Sequence, residues 1–136
     1  MIKVVEYAPE HLEQINKTPL HDKDILGAVS GPAVTLMSDS GPIAIVGGTV
    51  ILPGVLHGWA CIGDGVKAHP VSFHKTMWAM VRYFMASMRL RRIQISVRCD
   101  YEMGQRWARS LGFQPEGIML RYSEDGTASW LMSRTS

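Results

Sequence analysis

His57 and Cys61 are the side chains of this sequence best suited to chemistry, standing four residues apart in the apolar run Val55-Leu56-His57-Gly58-Trp59-Ala60-Cys61-Ile62. In an extended strand every second residue faces the same way, so His57, Trp59 and Cys61 share one face. An imidazole there can take up a proton near neutral pH, or serve as a hydrogen-bonded structural residue. A thiol there can accept an acyl group if a partner lowers its pKa, or remain a free, partly buried thiol. The run carries no Glu or Asp. Ser96, His57 and Asp100 have the residue types of a hydrolytic triad, but their spacing fixes no geometry. Gly63-Asp64-Gly65 is a weak nucleotide signal, since no Walker or Rossmann spacing accompanies it.

The elements that must position these residues follow from pattern. Residues 3–7 read as a short strand, and Pro9 suits the first turn of a helix that runs to about Asn16 with Leu12 and Ile15 on one face. Pro19 ends it. A second short helix is expected over His21–Val29, broken by Gly31-Pro32. Ala33–Met37 and Ile43–Val50 are β-rich and flank Ser38-Asp39-Ser40-Gly41-Pro42, which suits a hairpin turn. Gly47-Gly48 is expected to mark a bulge or close approach. Val55–Ile62 reads as the central strand. Phe73, Met77, Met80, Val81, Phe84 and Met88 recur at helical spacing, predicting a long helix over Ser72–Met88 whose methionines are packing residues. Arg92–Val97 alternates Ile93, Ile95 and Val97 and re-enters the sheet after that helix, which requires parallel pairing with the strand before it. Asp100 is the expected N-cap of a helix over Tyr101–Ser110, and Gly112 its C-terminal stop.

The sequence of 136 residues, 46% hydrophobic and 19% charged, reads as one domain over residues 1–136 able to bury its own core. No apolar run approaches the roughly 20 residues that span a bilayer, and the opening Met1-Ile2-Lys3-Val4-Val5-Glu6 does not read as a secretory signal. A cytoplasmic location is expected. Cys61 and Cys99 have neither the number nor the spacing of a disulfide framework or zinc site. A formal charge of +2 is too small to argue for nucleic acid by itself, and nucleic acid is not the expected partner. Arg82, Arg89, Arg91 and Arg92 gather at the end of the long helix and the turn after it, either as complements to the helix C-terminus or as a docking patch for an acidic protein surface or nucleic acid.

The C-terminal third carries a resemblance. Trp107-Ala108-Arg109-Ser110-Leu111-Gly112-Phe113 closes a short helix and leads through Pro115-Glu116-Gly117 into a strand, the turn Glu124-Asp125-Gly126 and a final strand to Met132. This resembles the C-terminal half of the GNAT superfamily, the acyl-CoA-dependent N-acyltransferases, and the expected order of elements matches that fold over nearly the whole chain. The resemblance implies an α/β (α+β) fold: a mixed, mainly antiparallel sheet with a central parallel strand pair splayed in a V and helices on both faces. It also implies acetyl-CoA or another acyl-CoA lying between the strands at 55–62 and 92–98, and transfer of the acyl group to a small amine or a protein amine.

In that family the crossover helix offers its N-terminus to the pyrophosphate, where unpaired N–H groups and the helix dipole attract an anion. Carried over, this places binding on Val66, Lys67, Val71, Ser72, Phe73, His74 and Lys75, with Ser72 capping the helix and Lys67, His69, His74 and Lys75 near phosphate. The sequence departs from the family pattern here, since Gly63 and Gly65 come several residues early and Pro70 and Phe73 stand where small residues belong. The family's acidic tyrosine on the last helix is replaced by Ala108, leaving Tyr122 as the alternative proton donor beside His57 and Cys61. Short GNAT-like proteins of tailed bacteriophages are similar in length, around His21-Asp22 to Leu26 and from Arg106 to Met132. They imply the alternative of a non-catalytic virion or morphogenesis protein acting through a phage or host protein partner, in the host cytoplasm or the virion.

Overall fold

The computed structural model describes residues 2–15 and 33–136, and among these alternation and punctuation in the sequence produce seven strands and three α-helices. The helix expected at His21–Val29 lies outside the described residues. In chain order the elements are β1 (Lys3–Glu6), α1 (Pro9–Gln14), β2 (Ala33–Ser38), β3 (Gly41–Leu52), β4 (Val55–Ile62), a 3₁₀ helix (Asp64–Ala68), α2 (Pro70–Ser87), β5 (Arg92–Arg98), α3 (Glu102–Ser110), β6 (Gln114–Met119) and β7 (Ser129–Thr135). The strands form one sheet in the order β1-β2-β3-β4-β5-β7-β6. It is mostly antiparallel, and the expected parallel pair is β4 with β5.

The chain divides into two compact units, Met1–Thr49 with Trp59–Ala79 and Val50–Gly58 with Met80–Ser136. In the first, β2 and β3 form the predicted hairpin around Asp39 and Ser40, and Gly41 takes a φ of +116° that a side chain would resist. The ladder shifts register between Leu36 and Met37, not at Gly47-Gly48; Gly47 pairs regularly with Ala33. In this ladder the irregularity lies next to the turn, where Pro42 sits in the first pairs and has no N–H to give. Ile15, Ile45 and Cys61 form a buried cluster against Tyr7, Leu12 and Trp59. Burial of a side chain such as Ile45 is worth about 1.5–3 kcal/mol.

In the second unit β5 pairs along its whole length with β7, from Arg92↔Thr135 to Arg98↔Ser129. Leu90, Ile93, Ala108, Leu111, Phe113 and Met132 are buried there. Helix α3 ends as its sequence requires: the Phe113 N–H donates to Ala108 O, the Gly112 N–H donates to Arg109 O, and Gly112 has a φ of +92°. This is a Schellman termination with glycine at the left-handed position. Helix α2 ends the same way, through Leu90 N–H to Met85 O and Arg89 N–H to Ala86 O, except that an arginine, Arg89, occupies the left-handed position at a φ of 50°.

Two capping expectations are corrected. Asp100 does not cap α3: Tyr101 holds the N-cap position, with no side-chain capping bond, and both Asp100 oxygens accept from Arg98 at 3.0 and 3.1 Å. Ser72 does not cap α2, because Pro70 opens the helix two residues earlier; proline's fixed φ suits that first position.

Candidate functional site

His57 is the last residue of β4 in the parallel pairing, which joins Val55, Leu56 and His57 to Arg92, Ile93 and Gln94. Its Nδ1 lies 3.4 Å from Gln94 Nε2. Gln94 Oε1 accepts from Arg92 Nε at 2.9 Å. The remaining guanidinium nitrogens of Arg92 reach both carboxylate oxygens of Glu116, at 2.8 and 2.6 Å, and Ser133 Oγ donates to Glu116 Oε2 at 2.6 Å. A polar row thus crosses β4, β5, β7 and β6 within one unit. Burial lowers the pKa of His57, favouring neutral imidazole. Glu116 is held at about 2, first by the Arg92 hydrogen bonds and then by Ser133.

Of this row the sequence reading singled out His57 for chemistry, Arg92 only as part of the arginine cluster and Glu116 only within Pro115-Glu116-Gly117; it did not pick out Gln94 or Ser133. The signal was present: Arg92, Gln94, Ser96 and Arg98 are the polar alternates to Ile93, Ile95 and Val97, and a strand polar on one face is where a network can form. Tyr122, half exposed in the β6–β7 connection, belongs to the same unit but is not a member of this row. Arg91, another member of the arginine cluster, serves the fold. Arg91 Nη1 donates to Pro53 O at 2.6 Å and its N–H to Gly54 O at 2.9 Å, so it clasps the β3–β4 turn, where Gly54 has a φ of +85°.

The residues expected to meet an anion lie in the first unit. Of the first α2 turn, Pro70 has no N–H and the Phe73 N–H donates to His69 O at 2.9 Å, so Val71 and Ser72 supply the remaining first-turn donors. Both are exposed, as are Lys67 and Lys75, whereas the Phe73 side chain is buried. Lys67 reaches Asp64 at 3.8 Å, and the His74 ring stacks on Trp78. Both Gly63 and Gly65 lie against Ile43, and for Gly65 that contact is a packing reason for being glycine. The Gly63 N–H donates to Ile43 O at 2.8 Å, and a Cβ at Gly65 would stand 2.6 Å from Ile43 Cγ2. Val66 is partly buried in the 3₁₀ helix between them and α2.

Cys61, fully buried beside Ile15 and Ile45, gives no substrate access to its sulfur. Among the described residues no group of three or more His, Cys, Asp or Glu is placed to hold a metal ion, and no helix is long and apolar enough to cross a membrane.

No protein-family model and no curated sequence matches the chain. Solved structures do. A GNAT-family acetyltransferase from Streptococcus pneumoniae matches with a TM-score of 0.74 at 18% identity, covering all of both chains. A spermidine N-acetyltransferase chimera from Vibrio cholerae matches at 0.78 and 9% identity, over 98% of this chain and 95% of the other. A GNAT-family acetyltransferase from Bacillus anthracis matches at 0.74 and 8% identity, over 98% and 94%. None of these three lends support to the virion-protein alternative. At such low identities what they share is the order and placement of strands and helices, and on that ground the chain has the fold of the GNAT acetyltransferases.

Proposed function

We propose that the chain binds an acyl-CoA and transfers its acyl group to an amine. The observation that supports this reading is the likeness of fold to acetyltransferases over nearly the whole of both chains. The first-turn donors Val71 and Ser72, with Lys67 and Lys75 nearby in sequence, suit a pyrophosphate: backbone N–H groups at a helix start and flanking ammonium groups both favour an anion. In the reaction the amine nitrogen attacks the thioester carbonyl carbon. The new C–N bond replaces the C–S bond, the amine loses a proton, and the departing thiolate gains one. His57 is the side chain of the β4–β5 pairing that we place beside the reacting carbonyl. Tyr122 is retained as a proton donor to the thiolate, while buried Cys61 is given no chemical step.

Titration calorimetry with acetyl-CoA and with free CoA tests the binding half of this proposal. Saturable heats, and a melting temperature that rises with ligand concentration by mass action, are expected. Absence of both at millimolar ligand removes the reading. The transfer half is tested by thiol release from acetyl-CoA in the presence of small amines, beginning with polyamines because one structural neighbour is a spermidine N-acetyltransferase.

A further inference from the structure

We propose that Gln94 is a positioning residue that holds His57 neutral with its ring proton on Nε2, so that His57 offers the acyl-transfer site a hydrogen-bond donor and not a base. The tautomer assignment stands on hydrogen-bond geometry alone; its use in catalysis rests on the acyl-transfer reading.

The argument runs from the one group whose role is fixed. Arginine Nε–H can only donate, and Arg92 Nε lies 2.9 Å from Gln94 Oε1. The carboxamide is therefore oriented with its oxygen toward Arg92 and its NH₂ toward His57. That NH₂, 3.4 Å from His57 Nδ1, is itself only a donor, so Nδ1 must present its lone pair. A neutral imidazole carries one N–H, and it is left on Nε2. Protonating the ring, or moving the proton to Nδ1, would set an N–H against an NH₂. Turning the carboxamide over to relieve that would set the NH₂ against Arg92 Nε–H.

Arg92 cannot swing away to release the lock. Its two terminal nitrogens are held by Glu116 at 2.8 and 2.6 Å, and Glu116 is braced by the Ser133 hydroxyl at 2.6 Å. Every link has one direction: Ser133 and Arg92 donate to Glu116, Arg92 donates to Gln94, and Gln94 donates to His57. The strand register enforces it, since His57 pairs with Gln94 and Gln94 with Ser133. Burial of His57 acts in the same sense by lowering its pKa. An Nε2–H is matched to the carbonyl oxygen of a thioester, on which negative charge grows as the amine attacks. The amine's proton then leaves to water.

The test is long-range ¹H–¹⁵N correlation of the histidine rings in uniformly labelled full-length protein without ligand, with His57 assigned from a His57→Asn spectrum. Expected is a protonated-type Nε2 and a bare Nδ1 for His57 at neutral pH. In Gln94→Glu the carboxylate can only accept, so the proton should move to Nδ1 and the ring should titrate at higher pH. In Gln94→Leu, which neither donates nor accepts, both tautomers should be populated. A protonated Nδ1 or a tautomer mixture in the wild-type protein overturns the proposal, as does a Gln94→Glu spectrum with the wild-type tautomer. The wild-type spectrum is decisive even where a variant does not fold. The expected spectrum together with a failure to bind acyl-CoA overturns the catalytic use and the acyl-transfer reading, and leaves the tautomer assignment in place.

Discussion

Arg92 and Glu116 meet end-on, with the two terminal guanidinium nitrogens on two carboxylate oxygens, and the pair ties the edge strand β6 to β5 across β7. Parallel double contact of this kind adds geometric specificity that a single ammonium would not supply. The Glu116 side chain is 40% exposed, so solvent screens the pair and its main effect is orientation rather than stability.

A depressed carboxylate pKa gives a signed expectation for acid. Glu116, at about 2 in the folded protein against roughly 4.3 in an unfolded chain, contributes stability that is present above the unfolded value. That contribution is lost as pH falls through about 2. Glu116→Gln should therefore be less stable than wild type at neutral pH, and the difference should shrink on acidification through this window. Urea unfolding midpoints of both proteins at several acid pH values measure it; a constant difference would remove Glu116 from the account.

The two helix ends predict opposite effects of opposite substitutions. Gly112→Ala places a side chain at a φ of +92° and its Cβ 3.3 Å from Arg134 Cδ, and should cost about 1–2 kcal/mol. Arg89→Gly relieves a left-handed arginine at the equivalent position of α2. It should stabilise by about 0.5–1 kcal/mol, the relief less the added freedom of the unfolded chain. Gly117→Ala, where an added Cβ meets nothing within 4 Å, is the control. Chemical denaturation of the three variants checks all of these signs together.

Cys61 is expected to behave as packing. In the native protein a thiol reagent should modify the partly exposed Cys99 and leave Cys61 untouched. Cys61→Ser, which puts a hydroxyl in the Ile15–Ile45 cluster, should cost about 1–3 kcal/mol. Turnover per folded molecule should be unchanged in Cys61→Ala. Loss of turnover with full stability would restore the sulfur as a nucleophile.

What could be read from the sequence were the features set by local pattern. Alternation located β4 at its observed bounds, and the glycine of Leu111-Gly112-Phe113 marked the end of α3 because only that residue takes the left-handed position cheaply. The parallel β4–β5 pair followed from a helix lying between two strands. Long-range polar partnership was not legible. Asp100 looked like a cap because nothing in the sequence says that Arg98 will take both its oxygens, and the reason for glycine at Gly65 was hidden because its contact with Ile43 is a tertiary fact. Gln94 was unremarkable for the same reason: its meaning depends on Glu116, which is 22 residues away in sequence but within reach of Arg92.

The role of His57 in turnover separates two chemistries that a single alanine substitution would confuse. His57→Ala should lower kcat by roughly 100-fold or more whether the ring donates a hydrogen bond or removes a proton, with CoA affinity nearly intact because the groups proposed to bind the pyrophosphate lie elsewhere, at and before the start of α2. His57→Gln distinguishes them. A carboxamide N–H can donate to a developing oxyanion, yet it has no basic nitrogen to accept a proton. If His57 acts as a donor, glutamine should recover a measurable part of the lost kcat, and the activity should not acquire a new dependence on base concentration. If His57 acts as a base, glutamine should be as poor as alanine, and small exogenous amines that do not serve as acceptors should rescue both. Steady-state kinetics on the wild type and the two variants, with thermal melts to confirm folding, decide between these outcomes.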